Sequence, residues 1–208
     1  LIVHLLRTYL LGNEQIIWLL VNFAFIPARY TGEVQQFMSD PAALWSPVTY
    51  SFLHGDWTHI IVNTIWLLAF GAVVARRLGN FRFILFCIAS SLFGALAHYV
   101  AHSGSLVPMI GASAVVSGCM GAAVRFAFPD TGSFSPQVHE LPAKGLFEAF
   151  QNRQVVIFTA VWFAINFLFG ISGGGIAGEG QSIAWEAHIG GFLCGLLFFR
   201  VFDRNTGA

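Results

Sequence analysis

Charge is what this sequence has least of. Ten acidic and ten basic residues are spread over 208 positions, 10% of the chain, and the formal net charge is zero. A water-soluble domain carries about 25% charged residues. So thin a polar complement excludes a surface that faces water on every side, and the balanced charge argues for no nucleic-acid partner. Cysteine is equally sparse. Cys87, Cys119 and Cys194 lie in apolar stretches without paired spacing, which argues against a disulfide or zinc framework and leaves packing as their role. No internal repeat and no low-complexity tract is visible. What is abundant is apolar: 56% hydrophobic residues and a mean hydropathy of +0.71. The class implied is an all-α polytopic membrane protein organised as a single domain over residues 1–208, its first partner the lipid bilayer.

A spanning helix needs about 20 mostly apolar residues. The chain opens at Leu1 inside the run LIVHLL, so residues 1–11 read as the end of a truncated first span. Residues 12–50 are mixed and read as an outer loop. Its segment IIWLLVNFAFIP suits an interfacial or re-entrant helix better than a span. Five further spans are expected near 51–75, 81–101, 113–128, 155–169 and 185–202, with a tail at 203–208. Lys and Arg set the orientation. Arg76, Arg77, Arg82, Arg125, Lys144, Arg153, Arg200 and Arg204 fall at one side, assigned to the cytoplasm; Arg7 and Arg29 fall towards the other. Spans two, four and six then run inwards, parallel to one another.

That topology places the polar residues at one depth. Ser113 stands twelve residues before Arg125, His188 twelve before Arg200, and Asn63 thirteen before Arg76. At 1.5 Å per residue all three lie about 18–20 Å above the cytoplasmic edge. His59 lies one turn above Asn63, with His54 higher still. Ionisable groups inside a membrane are costly and point to function. Small residues make contact plausible: Ser113, Ser117 and Gly121 recur on span four, Gly191 and Gly195 on span six, and such faces let helices approach closely in lipid.

Each residue alone has a plainer explanation. A serine in the run MIGASAVVSGCMGAAV is usually packing filler. His54, His59 and Asn63 also fit a structural network or a thin metal ligand set without a nearby carboxylate. His98 and His102 end span three and read as interfacial. Taken together, the shared depth favours a site. A serine hydroxyl needs a base within hydrogen-bond reach, and His188 fits that part. An oxyanion needs fixed donors, which the Ser113 N–H, the Asn63 amide and His59 supply in principle. Ser113 opens its helix, so its N–H lacks an intrahelical partner.

At this point the chain resembles the rhomboid family of intramembrane serine proteases, over nearly its whole length. FLHGDWTHIIVN carries His54, His59 and Asn63. GASAVVSGCMGA carries Gly111 and Ser113. AHIGGFLCG carries His188, Gly191 and Gly195. The resemblance implies a six-transmembrane-helix bundle and a Ser113–His188 dyad. It implies an oxyanion hole of His59, Asn63 and the Ser113 amide, with His54, Gly111, Gly191 and Gly195 in support. It further implies cleavage of single-span membrane proteins without a cofactor, a fifth span acting as lateral gate, and a bacterial plasma membrane with the site open outwards. The chain departs from the family pattern in four places, one of them a first loop without the Trp-Arg pair of some members. Ala114 stands where Gly is common after the serine, Ser117 where some members stack a Tyr on the catalytic His, and Ala75 where Glu is frequent on span two. The rival functions are a non-catalytic relative that binds client helices and a histidine-based proton or solute pathway.

Overall fold

The computed structural model describes residues 1–37, 39–128, 138–171 and 184–203, and it is helical throughout these residues. The helices are α1 Ile2–Tyr9, α2 Asn13–Phe23, α3 Ser46–Thr49, α4 Trp57–Trp66, α5 Ala72–Leu78, α6 Asn80–Ala101, α7 Ser113–Ala123, α8 Leu146–Gln151, α9 Arg153–Ile171 and α10 Trp185–Phe202, with short 3₁₀ turns between them. A π turn at Leu67–Gly71 joins α4 to α5, making one continuous rod from Trp57 to Leu78. Among the described residues the only β-type pairing is an isolated bridge between Phe25 and Met109.

Three of these helices are long and apolar enough to cross a membrane: Trp57–Leu78, Asn80–Ala101 and Trp185–Phe202. The expected second span therefore begins six residues later than its hydropathy suggests, because Asp56 caps the helix by accepting from the His59 N–H at 2.8 Å. The expected fourth span is shorter still. Its helix is the 11 residues of α7, and the chain turns from Val124 onwards instead of continuing to 128. Eleven residues rise about 16 Å, half of a hydrocarbon core of about 30 Å. Every residue from Ala114 to Ala123 is buried, so protein and not lipid surrounds α7. Of the expected tail at 203–208, Asp203 is buried in the fold and paired with Arg77, while 204–208, like the Gly/Ser-rich segment 172–183, lie outside the described residues.

The distribution of side chains is that of a protein dissolved in lipid. On α6, Ile84, Leu92 and Leu96 are exposed while Ser90, Ser91 and Gly94 face inwards. With no hydrophobic drive to join helices in lipid, close packing and hydrogen bonds must hold them. Glycine provides the closeness. A Cβ on Gly191 would lie 2.0 Å from the Ala114 carbonyl oxygen, one on Gly195 1.9 Å from the Gly118 carbonyl, and one on Gly121 2.1 Å from the Phe192 carbonyl. The backbones of α7 and α10 thus touch along three turns. The face that α7 offers is Ala114, Gly118 and Gly121, one position round from the expected Ser113 and Ser117. α6 closes on the same place: a Cβ on Gly94 would meet the Ala114 methyl, and one on Gly190 the Phe93 carbonyl.

Arginine fastens the basic end. Arg77 forms a buried two-pronged ion pair with Asp203 at 3.0 and 2.8 Å, and its guanidinium also donates to the carbonyls of His139 and Leu141. It lies over the rings of Phe126 and Phe199. Arg125 donates to the Lys144 and Leu196 carbonyls, and Arg82 to that of Asp203. These charges tie α5, α6 and α7 to the end of α10, beyond any part they play in orientation.

The outer loop is organised by a second buried arginine. Arg29 pairs with Asp40 at 2.8 Å and donates to Ser46 Oγ and to the carbonyls of Ala24 and Val21. Burial raises the neighbouring Tyr30 phenol above its ordinary range, and its hydroxyl donates to the Ala43 carbonyl. Hydrogen bonds from Phe25 to Met109 and from Ala28 to Ser105 stitch this loop to the segment that leads into α7.

Gly195→Ala is expected to lower the thermal midpoint of the detergent-solubilised chain, by an amount on the order of the 1–3 kcal/mol of an overpacked core. Gly12→Ser, whose Cβ enters open space and which keeps a favoured N-cap residue, is expected to leave the midpoint unchanged. Asp203→Ala strands the buried Arg77 charge and is expected to cost about 3–5 kcal/mol, well beyond the effect of Arg200→Ala at the exposed surface. Differential scanning fluorimetry of the four variants checks both expectations.

Candidate functional site

Ser113 is the first residue of α7, and the chain reaches it through Gly111 at φ 124°, a conformation that L side chains rarely adopt. Two facts make glycine necessary there. The backbone angle is one. The other is the His59 ring, whose Nε2 lies 2.7 Å from where a Gly111 Cβ would stand. Ser113 Oγ lies 3.8 Å from the same point, so the His59 ring nitrogen and the serine oxygen border one small space. The loop itself is pinned from two sides. Gly111 N–H donates to the Tyr50 carbonyl at 3.0 Å, and Ala112 N–H to His54 Nε2 at 3.5 Å. The first helical bond of α7 runs from Val116 N–H to the Ala112 carbonyl. The Ser113 N–H precedes it, which leaves it free of an intrahelical partner at the positive end of the helix.

His59 and Asn63 face inwards one turn apart on α4. The Asn63 Nδ2 donates one hydrogen to the His59 carbonyl at 3.1 Å and keeps a second. The Gly55 N–H approaches His59 Nδ1 at 3.5 Å, which makes that nitrogen the acceptor and leaves the proton on Nε2, the atom beside Gly111. His54 stacks edge-on against His59 with centroids 5.1 Å apart. Its part is to hold the Gly111–Ala112 turn.

His188 stands in the first turn of α10, one turn before Gly191, and Ser113 directly precedes Ala114. The Gly191–Ala114 backbone contact therefore lies beside both residues. Ser113, His59 and His188 are half-buried, while Asn63, His54 and the length of α7 are buried. That is the profile of a small opening above a packed floor.

One participant escaped the sequence reading. His188 Nδ1 lies 2.6 Å from Asn166 Oδ1 on α9, and Asn166 Nδ2 donates to the Trp162 carbonyl at 2.8 Å. The amide is oriented by that second bond, so its oxygen faces the ring. It accepts from Nδ1–H, which fixes the tautomer and leaves Nε2 with the lone pair. The orienting group is a neutral amide and not a carboxylate. The signal was there: Asn166 and Thr159 are the polar side chains of an otherwise apolar run. Asn166 also answers the loss of the stacking tyrosine at Ser117, since the ring is held from α9 instead. Ala114 is answered by Gly94, which leaves room for its methyl.

α9 leans on α10 through Trp162 and Phe163, both packed on Phe192. Between the two helices an apolar cleft of about 430 Å³ is lined by Phe163, Ala164, Phe167, Trp185 and Ile189. Ile189 adjoins His188, so the cleft lies next to the histidine along α10.

Comparison with known proteins gives the same direction. The Rhomboid domain family matches residues 41–204. A rhomboid protease GlpG from Serratia proteamaculans is 29% identical over 154 residues, 74% of this chain and 46% of its own length. A GlpG from Salmonella choleraesuis is 29% identical over 163 residues, 78% of this chain and 50% of its own. A rhomboid protease GluP from Bacillus subtilis is 33% identical over 90 residues, 43% of this chain and 17% of its own. The chain thus spans half or less of the length of these relatives.

With isotope-labelled histidine, NMR of the protein in micelles is expected to report His188 as the Nδ1-protonated tautomer. In Asn166→Leu that preference is expected to disappear. An unchanged tautomer in the variant would remove Asn166 from its orienting part.

Proposed function

We propose, from the premise that the chain belongs to the rhomboid family of integral membrane proteins, that it is a serine endopeptidase acting on membrane-spanning substrates. Ser113 is the nucleophile and His188 the base. The observation that carries the reading is the Gly191–Ala114 backbone contact, which fastens the helix starts bearing these two residues to each other, with His188 oriented by Asn166.

In this reading His188 Nε2 takes the Ser113 hydroxyl proton as Oγ attacks the scissile carbonyl. The oxygen of the tetrahedral intermediate becomes negative and accepts from the Ser113 N–H, His59 Nε2–H and the second Asn63 N–H. The C–N bond then breaks, and His188 delivers its proton to the departing amine. Water, deprotonated by the same nitrogen, hydrolyses the acyl-enzyme and restores Ser113. Asn166 accepts from Nδ1–H throughout and stabilises the imidazolium. Its neutral amide takes the place that a carboxylate holds in a triad.

The accompanying architecture is a six-helix bundle in which α7 and α9 complete the crossings. The site opens to the outer side of a bacterial cytoplasmic membrane, opposite the arginine-rich end. Substrates are single-span proteins whose helix unwinds locally at a small residue and enters beside α9, along the cleft that ends at Ile189.

The test is cleavage of a panel of single-span substrates by the purified protein, run beside a fluorophosphonate probe. Ser113→Ala and His188→Ala are expected to abolish turnover, and Ser113→Ala to lose the label. Asn63→Ala, which removes an oxyanion donor, is expected to cost about 10²–10³ in kcat. Asn166→Leu is expected to lower kcat about tenfold to a hundredfold with KM nearly unchanged, no more than the lower end of the 10²–10⁴ that a positioned base supplies; Asn166→Asp, which retains an acceptor, recovers part. Cleavage that survives Ser113→Ala overturns the reading, and a parent that neither cleaves nor takes up the probe favours the client-binding alternative.

A further inference from the structure

The outer ends of α6 and α10 meet in a group that peptide hydrolysis leaves unused. His98 stands in the last turn of α6 and His102 is the residue that caps its end. Glu186, in the first turn of α10, reaches both. Its Oε1 lies 3.0 Å from His102 Nε2 and its Oε2 3.6 Å from His98 Nδ1. The rings sit with centroids 4.7 Å apart, and one ligand atom from each of the three residues lies within 4.8 Å of the others. His98 is only 9% exposed, and both His98 Nδ1 and Glu186 Oε2 are buried without a hydrogen-bond partner among the described residues. At 3.6 Å these two atoms make a long ion pair and no hydrogen bond, which leaves part of their desolvation cost unrecovered. A cation between them removes it.

We propose that His98 Nδ1, His102 Nε2 and the Glu186 carboxylate form a binding site for a divalent transition-metal ion, best matched by zinc. Zinc bound at about 2.0–2.1 Å in a tetrahedron holds its ligand atoms about 3.3 Å from one another. The carboxylate meets the two histidines through different oxygens, Oε1 at 3.0 Å from His102 Nε2 and Oε2 at 3.6 Å from His98 Nδ1, both near that spacing, so either oxygen can turn onto the ion. The ligand atoms lie within 4.8 Å of one another, and they draw in to the zinc spacing by a turn of His102, whose side chain is 46% exposed and hydrogen-bonds to Glu186 alone among the described residues. Two imidazoles and a carboxylate suit zinc, whereas magnesium and calcium require oxygen ligands. The exposed side of His102 leaves the fourth position to water from the outer face. An ion here clamps the end of α6 to the start of α10, two residues before His188. The site stands independently of the serine chemistry.

The test uses the full chain without a polyhistidine tag, purified in mild detergent and stripped with EDTA. Zinc is titrated calorimetrically, and cobalt is added as a spectroscopic reporter. The expected result is one equivalent of bound zinc that magnesium does not displace, visible d–d bands of tetrahedral cobalt, and a raised thermal midpoint. His102→Ala is expected to weaken binding at least tenfold while keeping the metal-free midpoint of the parent, as suits its exposed ring. Glu186→Gln is expected to weaken binding as well. Less than one equivalent in the parent, or undiminished binding in His102→Ala, overturns the proposal.

Discussion

The contact on which this molecule depends is the meeting of two backbones. At Gly191 and Gly195 on α10, and at Gly118 and Gly121 on α7, there is no room for a methyl group. Lipid does not push helices together as water does, so contact area and hydrogen bonds must hold them. Side chains of ordinary size would hold α7 and α10 apart by several ångströms. Glycine removes that separation, and α7 becomes a core element in spite of its 11 residues. The starts of both helices are then fixed relative to each other. Those starts carry Ser113 and His188.

The rest of the structure keeps that crossing from shifting. At the basic end, Arg77 and Asp203 join α5 to the end of α10. Towards the opposite end, Gly94 lets α6 rest against Ala114. Arg29 organises the outer loop, which in turn is bonded to the segment entering α7. Polar groups buried in a low-dielectric interior are worth most when each has its partner. The Asn166–His188 bond belongs to the same economy of partners, for it satisfies a buried amide and sets the histidine tautomer together.

Much of this was legible in the chain. The apolar composition announced a membrane protein, and the spacings of His54, His59 and Asn63, of Gly111 and Ser113, and of His188, Gly191 and Gly195 marked the elements around the opening. Span boundaries were less legible. The stretches 51–56 and 124–128 adjoin long apolar runs and blend into them in a hydropathy average, which does not see that Asp56 caps α4 or that the chain turns at Val124. Asn166 was missed for a related reason. It stands out as a polar residue in an apolar run, but what it does lies in a partner 22 positions away.

What the sequence by itself determined is which residues share a helix face and which helices tolerate close approach. Both follow from local periodicity and side-chain size. What only the tertiary structure decided is which faces meet. The stripe Ser113, Ser117 and Gly121 and the stripe Ala114, Gly118 and Gly121 are nearly equivalent by composition, and the second was the one against α10. The pairing of His188 with Asn166, and of Glu186 with His98 and His102, was decided in the same way. A rotation of one residue about a helix axis, about 100°, turns every side chain to a different neighbour. That angle is settled by packing of the whole bundle and by no single segment.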